Sequence, residues 1–261
     1  MSEFSFCYGQ PRLENDLVSL EPFHVRPAHY RSDRKVVTNC IQPEHHIAKF
    51  MEQKRAHPEL FQYVLFPDIS TEEEFFQKVY KEHIAAVPGE CLYTIIDKTY
   101  TQERPGQGQE QGHEQGPSAN YAGTIALTGT NTDNASTEIG IVIFPSFQRT
   151  HVASNAIGLL LCYTLDPPSL GGLGLRRIEW KCHTANEASK KVALRMGFTL
   201  EGVLRWDRAF PGPLGLSVDA LEKRNGTAGE VRGRHTAVFS IVWDEWEEKR
   251  ATVLKQMERR K

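Results

Sequence analysis

The chain has 261 residues, of which 39% are apolar, 10% aromatic and 25% charged. That is the profile of an ordinary soluble globular protein, long enough for one large domain or two small ones. Its 31 basic and 33 acidic residues leave a formal net charge of −2, which argues against a general nucleic-acid binder, because neutralising phosphates takes a clear basic surplus. No run of 18 apolar residues is present, so no transmembrane helix is expected. The opening MSEFSFCYGQPRLEND lacks the cationic start and apolar core of a secretory signal. Cys7, Cys40, Cys91, Cys162 and Cys182 are widely spaced with no C-x-x-C pair. They read as reduced thiols of a cytoplasmic protein, Cys162 and Cys182 buried, with no metal site and no disulfide framework.

Residues 1–16 read as a loose N-terminus. Leu17-Val18-Ser19-Leu20, ended by Glu21-Pro22, predicts an edge strand. Residues 24–38 are basic with few apolar anchors and read as a surface loop. Pro43 opens a helix with Ile47, Phe50 and Met51 at helical spacing. Ser70-Thr71-Glu72-Glu73-Glu74 supplies a cap and first-turn acids for a second helix. Cys91–Asp97 is a strand by its β-branched and aromatic content. Residues 102–118, QERPGQGQEQGHEQGPS, have nothing to bury and read as a disordered insertion within 99–120. Two strands follow, Tyr121–Leu127 and Glu138–Phe144. A helix spans Thr150–Tyr163, then come a strand Arg176–Cys182, a helix Asn186–Met196 stopped by Gly197, and strands Phe198–Arg205 and Ala237–Trp243. The 30-residue connection between the last two strands, including 211–233, is long enough to be functional or disordered. From Asp244 the chain is helical, acidic early and basic late, in keeping with the helix dipole. The order predicts one mixed α/β domain over 17–246, with 247–261 as a helical tail.

The chemically informative stretch is EIGIVIFPSFQRTHVAS, residues 138–154. A strand ends in a loop that opens a helix, so several backbone N–H groups converge where the helix dipole is positive. Such a junction favours an anion, and Arg149 could add a direct phosphate contact.

Gln148-x-x-His151-x-Ala153 resembles the Q/R-x-x-G-x-G/A acetyl-CoA loop of the GNAT (Gcn5-related) N-acetyltransferases. Asn186-x-x-Ser189 leading into Gly197-Phe198-x-x-Glu201-Gly202 resembles the N-x-x-S…GF-x-x-EG segment of the Rim-type branch, which includes ribosomal-protein N-terminal acetyltransferases. The resemblance runs from about residue 17 to residue 246. It implies a mixed sheet of about seven strands with four flanking helices and a C-terminal one. Two parallel strands, Glu138–Phe144 and Arg176–Cys182, would splay apart to admit acetyl-CoA. It further implies that Ile143 or Phe144 offers an N–H to the thioester carbonyl. Gln148, Arg149, Thr150, His151, Val152, Ala153 and Ser154 would form the pyrophosphate loop, and Asn186 would hold pantetheine or the next helix. The reaction implied is direct transfer of an acetyl group to a primary amine, of a protein N-terminus or a small molecule, with neither nucleic acid nor membrane as partner.

Two positions depart from the family pattern. His151 stands where the loop has its first glycine, and fits there with a negative φ and its ring turned outward. Ala193 stands where many relatives carry a tyrosine acid. Ser189, on the same helix face one turn earlier, is the candidate acid; its hydroxyl could equally serve only backbone or pantetheine hydrogen bonds. Glu138 is the first candidate base, followed by Asp207 and His183; Lys181 would need strong desolvation to serve. Trp206 reads as a core aromatic or a wall of the acceptor pocket. His151 and Ala193 also leave open an acyl-CoA-binding module without catalysis.

Overall fold

The computed structural model describes residues 6–23, 43–65, 67–100, 120–209 and 232–259. The basic loop 24–38, Cys40, the insertion 102–118, Phe210 and nearly all of 211–233 lie outside the described residues.

Eight strands form one sheet in the order β1-β2-β3-β4-β5-β6-β8-β7. They are β1 (Leu13–Glu14), β2 (Val18–Pro22), β3 (Cys91–Asp97), β4 (Tyr121–Asn131), β5 (Ser136–Ile143), β6 (Arg177–His183), β7 (Thr199–Ala209) and β8 (Gly233–Val242). Every pairing is antiparallel except β5 with β6. The strand beyond the seven expected is β1, whose two residues pair with Leu20 and Ser19; two residues carry no readable alternation.

The helices are α1 (Pro43–Ala56), α2 (Glu72–Glu74, continuing as a π-helix over Phe75–Ala85), α3 (Val152–Leu165), α4 (Glu187–Arg195) and α5 (Trp246–Met257). Thr71 caps α2 as its sequence announces, accepting the Glu74 amide while Glu74 reaches back to the Thr71 amide. Gly197, at φ 90°, ends α4 in the left-handed conformation that glycine adopts without strain. None of the described helices is long and apolar enough to cross a membrane.

The core lies on both faces of the sheet, and β3 is buried along its whole length. Residues 247–259 are no detached tail. Trp246 and Val253 of α5 are buried. The Trp246 indole donates to Asp166 at the end of α3 (2.8 Å), and the Arg250 guanidinium grips the same carboxylate (2.8 and 3.0 Å). At the other end, Asn155 of α3 donates to the Met257 carbonyl (3.1 Å), and Met257 fills the space above Gly158.

Candidate active site

Strands β5 and β6 pair only at Ser136–Arg177, Thr137–Ile178 and Glu138–Glu179. Beyond that point β5 runs on to Ile143 and β6 to His183 with no pairing between them, and β5 stays paired to β4. The two strands therefore part into a V. The Phe144 amide donates to the Ala122 carbonyl (2.9 Å), and the Val142 carbonyl faces Gly123, where an added Cβ would meet it at 2.1 Å. By the alternation of an extended strand, the amides of Ile141 and Ile143 face the gap. Ile143 keeps its expected place at the cleft. Phe144 does not: its N–H is used inside the sheet and its side chain is buried.

At the open end of β5 a short turn leads into α3. Gln148 donates its side-chain amide to the Ile143 carbonyl (3.0 Å). Arg149 takes a left-handed conformation, φ 62°, rare for a residue with a Cβ and costing about 1–2 kcal/mol. The Thr150 hydroxyl donates to the Phe147 carbonyl (2.7 Å) and accepts the Val152 amide (3.3 Å), so Val152 offers no spare donor. Among the described residues, the amides of Arg149, Thr150, His151, Ala153 and Ser154 have no intramolecular acceptor. A loop with that many orphan donors at a helix start fits a diphosphate. His151 has the expected negative φ, −66°, but its ring does not point outward. It turns in toward Asp97 of β3, with Nε2 3.3 Å from Oδ1.

Across the V, Asn186 caps α4 by accepting the Ser189 amide (3.0 Å), so it holds the helix through its side-chain oxygen. The Ser189 hydroxyl accepts the Trp180 indole N–H (2.9 Å). Cys182 lies beside it, its thiol pushed up chiefly by burial, with Ser189 opposing. A thiol held neutral makes a poor nucleophile. Ala193 is buried.

The candidate bases gather on the opposite face of β6. Lys181 stands between Glu179 (2.7 Å) and Glu138 (3.2 Å), and Arg177 binds Glu179 and Glu201. Burial drives the Glu138 carboxyl above its ordinary range, Lys181 opposes, and Glu179 adds to the rise. For Lys181 burial works downward, but the two carboxylates win and raise it, which removes it as a base. His183 is buried, and its Nδ1 accepts the Ala185 amide (3.0 Å), which commits that nitrogen to the backbone. Asp207 has Arg208 3.4 Å away, outside hydrogen-bond geometry for its buried Oδ2. Trp206 is half-exposed rather than core, its ring edge-on to His235.

Three participants escaped the sequence. Arg234 of β8 is buried, donating to Thr236 (2.9 Å) and to the Tyr63 carbonyl (3.4 Å), and burial lowers its pKa. It sits in a Gly-Arg-His strand start with no apolar alternation to mark it. Asp97 read only as the end of a strand. The Cys182–Ser189 contact joins residues seven apart across a strand–helix turn, where no motif pairs them.

A family model described as the acetyltransferase (GNAT) domain matches residues 39–199. The uncharacterised N-acetyltransferase YoaA of Bacillus subtilis is 35% identical over 99 residues, 38% of this chain and 53% of YoaA, so the match spans about half of that relative. A GCN5-related N-acetyltransferase structure from Brucella melitensis superposes with a TM-score of 0.66 at 22% identity, over 96% of this chain and 87% of that one. The ribosomal L7/L12 alpha-N-protein acetyltransferase RimL, solved in complex with coenzyme A, gives 0.54 at 16% identity, over 90% and 99%. At such identities the superpositions speak for the fold. The parted strands, the loop at the mouth of α3 and the domain match agree: this chain belongs to the GNAT acetyltransferase family.

Proposed function

We propose that the chain is an acetyl-CoA-dependent N-acetyltransferase that moves the acetyl group to a primary amine in a ternary complex. The observation that carries this reading is the V between β5 and β6, with gap-facing amides on one arm and the orphan-donor loop at its mouth. RimL, whose structure holds coenzyme A, supports the choice of co-substrate.

The diphosphate takes the amides of Arg149, Thr150, His151, Ala153 and Ser154, and the thioester carbonyl takes the Ile143 amide. A fixed N–H there stabilises the negative charge that grows on oxygen as the amine attacks. Glu138, with its raised pKa and its place where β5 and β6 part, removes the amine proton. The Ser189 hydroxyl, already accepting from Trp180, is left to donate a hydrogen bond to the leaving thiolate and relays to it a proton that Ser189 takes back from solvent water, so that no alkoxide is left. Arg234, Asp207 and His183 line the acceptor side on the Glu138 face. The acceptor is a protein N-terminus or a small-molecule amine.

Free-thiol release from acetyl-CoA across a library of peptides and small amines tests the reading. Amine-dependent release is the expected result. Acetyl-CoA binding with no release for any amine would instead make the chain a binding module.

A further inference from the structure

The ends of three helices meet beside the loop that opens α3. Asn155, in the first turn of α3, donates to the Met257 carbonyl at the end of α5 (3.1 Å), and Met257 packs over Gly158. That anchor holds the stretch ending in Arg259 against the start of α3. From the other side Arg195, in the last turn of α4, extends Nη2 to the hydroxyl of the buried Ser154 (3.5 Å). The two guanidinium groups feel one another: burial first, and then the charge of Arg259, press the Arg195 pKa down.

No acid offsets this approach. Glu187 of α4 holds Lys190, Glu245 at the start of α5 holds Lys249, and Asp166 holds Arg250. Among the described residues neither Arg195 nor Arg259 has a carboxylate in ion-pair range. Arg259 donates through Nη1 to Gln256 (3.0 Å), which leaves the rest of its fork open. Each arginine by itself suits the negative end of its own helix. The helix dipoles do not account for bringing the two together, since like charges cost free energy as they approach. An anion seated between them removes that cost, and a guanidinium fork matches phosphate with two parallel N–H donors.

The co-substrate proposed above carries phosphate at two places. Its diphosphate is already met by the orphan amides of the loop, the Ser154 amide among them. Its ribose bears a separate 3′-phosphate, one sugar ring away from the diphosphate. We propose that Arg195 and Arg259 form the subsite for this 3′-phosphate, so that the chain selects the 3′-phosphorylated thioester over the same thioester without it. The loop amides hold what any nucleotide diphosphate offers. The two side chains, from α4 and α5, read the group that sets this nucleotide apart. The inference rests on the acetyl-CoA reading above.

Calorimetric titration of the full chain with coenzyme A and with 3′-dephospho-coenzyme A tests it. The wild-type chain should bind coenzyme A at least about tenfold more tightly than the dephospho form. Arg195→Gln should cut that ratio about threefold or more, and Arg259→Gln likewise, while affinity for the dephospho form stays within about twofold of wild type. A wild-type ratio near one overturns the proposal, and so does an unchanged ratio in either variant. An equal loss for both ligands also overturns it, and would assign the arginines to the diphosphate. Arg259 is exposed beyond the end of α5, so its variant decides the matter if Arg195→Gln does not fold. A wild-type chain that binds neither ligand overturns the co-substrate reading itself, and this proposal falls with it.

Discussion

The two faces of β6 have opposite characters. Ile178, Trp180 and Cys182 point one way and are buried, with Trp180 edge-on to Phe198. Arg177, Glu179 and Lys181 point the other way, half-buried, and neutralise one another and Glu138. One face excludes water to hold the sheet to α4. The other keeps enough water out to shift a carboxyl while leaving it within reach. The period of two in a strand thus sets the packing and the proposed acid Ser189 on one side and the proposed base Glu138 on the other, and substitutions on the two faces should fail in different ways.

The largest effect is expected on the apolar face. Trp180→Ala should cost about 3–5 kcal/mol of stability, measured by denaturant unfolding. Trp180→Phe keeps most of the volume, removes the donor to Ser189, and should lower kcat more than it lowers Tm. A Phe variant with wild-type kcat would separate Trp180 from the chemistry.

On the charged face, Glu138→Gln should lower kcat about 10²-fold without lowering Tm. A carboxyl whose folded pKa is raised costs stability at neutral pH. In the wild type, kcat should fall with acidity at a pH above the ordinary glutamate range, and that limb should vanish in Glu138→Gln. Loss of Tm with an intact acidic limb would make Glu138 a structural ion.

Ser189→Ala should lower kcat about 10²-fold with acetyl-CoA affinity nearly unchanged. A change confined to affinity, about 1 kcal/mol, would leave Ser189 a pantetheine contact.

The smallest effect concerns Glu201, held at about 2 by Arg177 and Ser240. Its lowered pKa gives stability that is present above the ordinary glutamate range and lost as pH falls toward 2. The side chain is 40% exposed, so solvent screens the pair, and Glu201→Gln should cost less than about 1 kcal/mol at neutral pH and nothing in acid.

The sheet was legible because alternation, caps and turn residues are local. Thr71, Gly197 and the β6 pattern announce their elements without help. The loop at 148–154 was legible as a donor cluster, but the inward ring of His151 was not, since its partner arrives from a strand end distant in sequence. The same holds for Arg234, which depends on the loop at Tyr63. Phe144 illustrates the limit in the other direction. The family resemblance left its amide open beside that of Ile143, and only the bond to the Ala122 carbonyl shows that the N–H is turned away from the gap.

The rivet between β5 and β6 has a mechanical meaning. Three residue pairs and the Ala135 carbonyl, which takes the amides of Arg176 (2.7 Å) and Arg177 (3.3 Å), join a five-strand half-sheet to a three-strand one. Ala135 sits at that pin with φ 48°, a left-handed conformation rare for a residue with a Cβ. The arms extend roughly 15 Å beyond it at strand rise. A turn of about 5° at the pin therefore moves their tips by about 1 Å. The opening of the V is thus governed at Ala135 and the three pairs beside it, well away from the tips of the two strands.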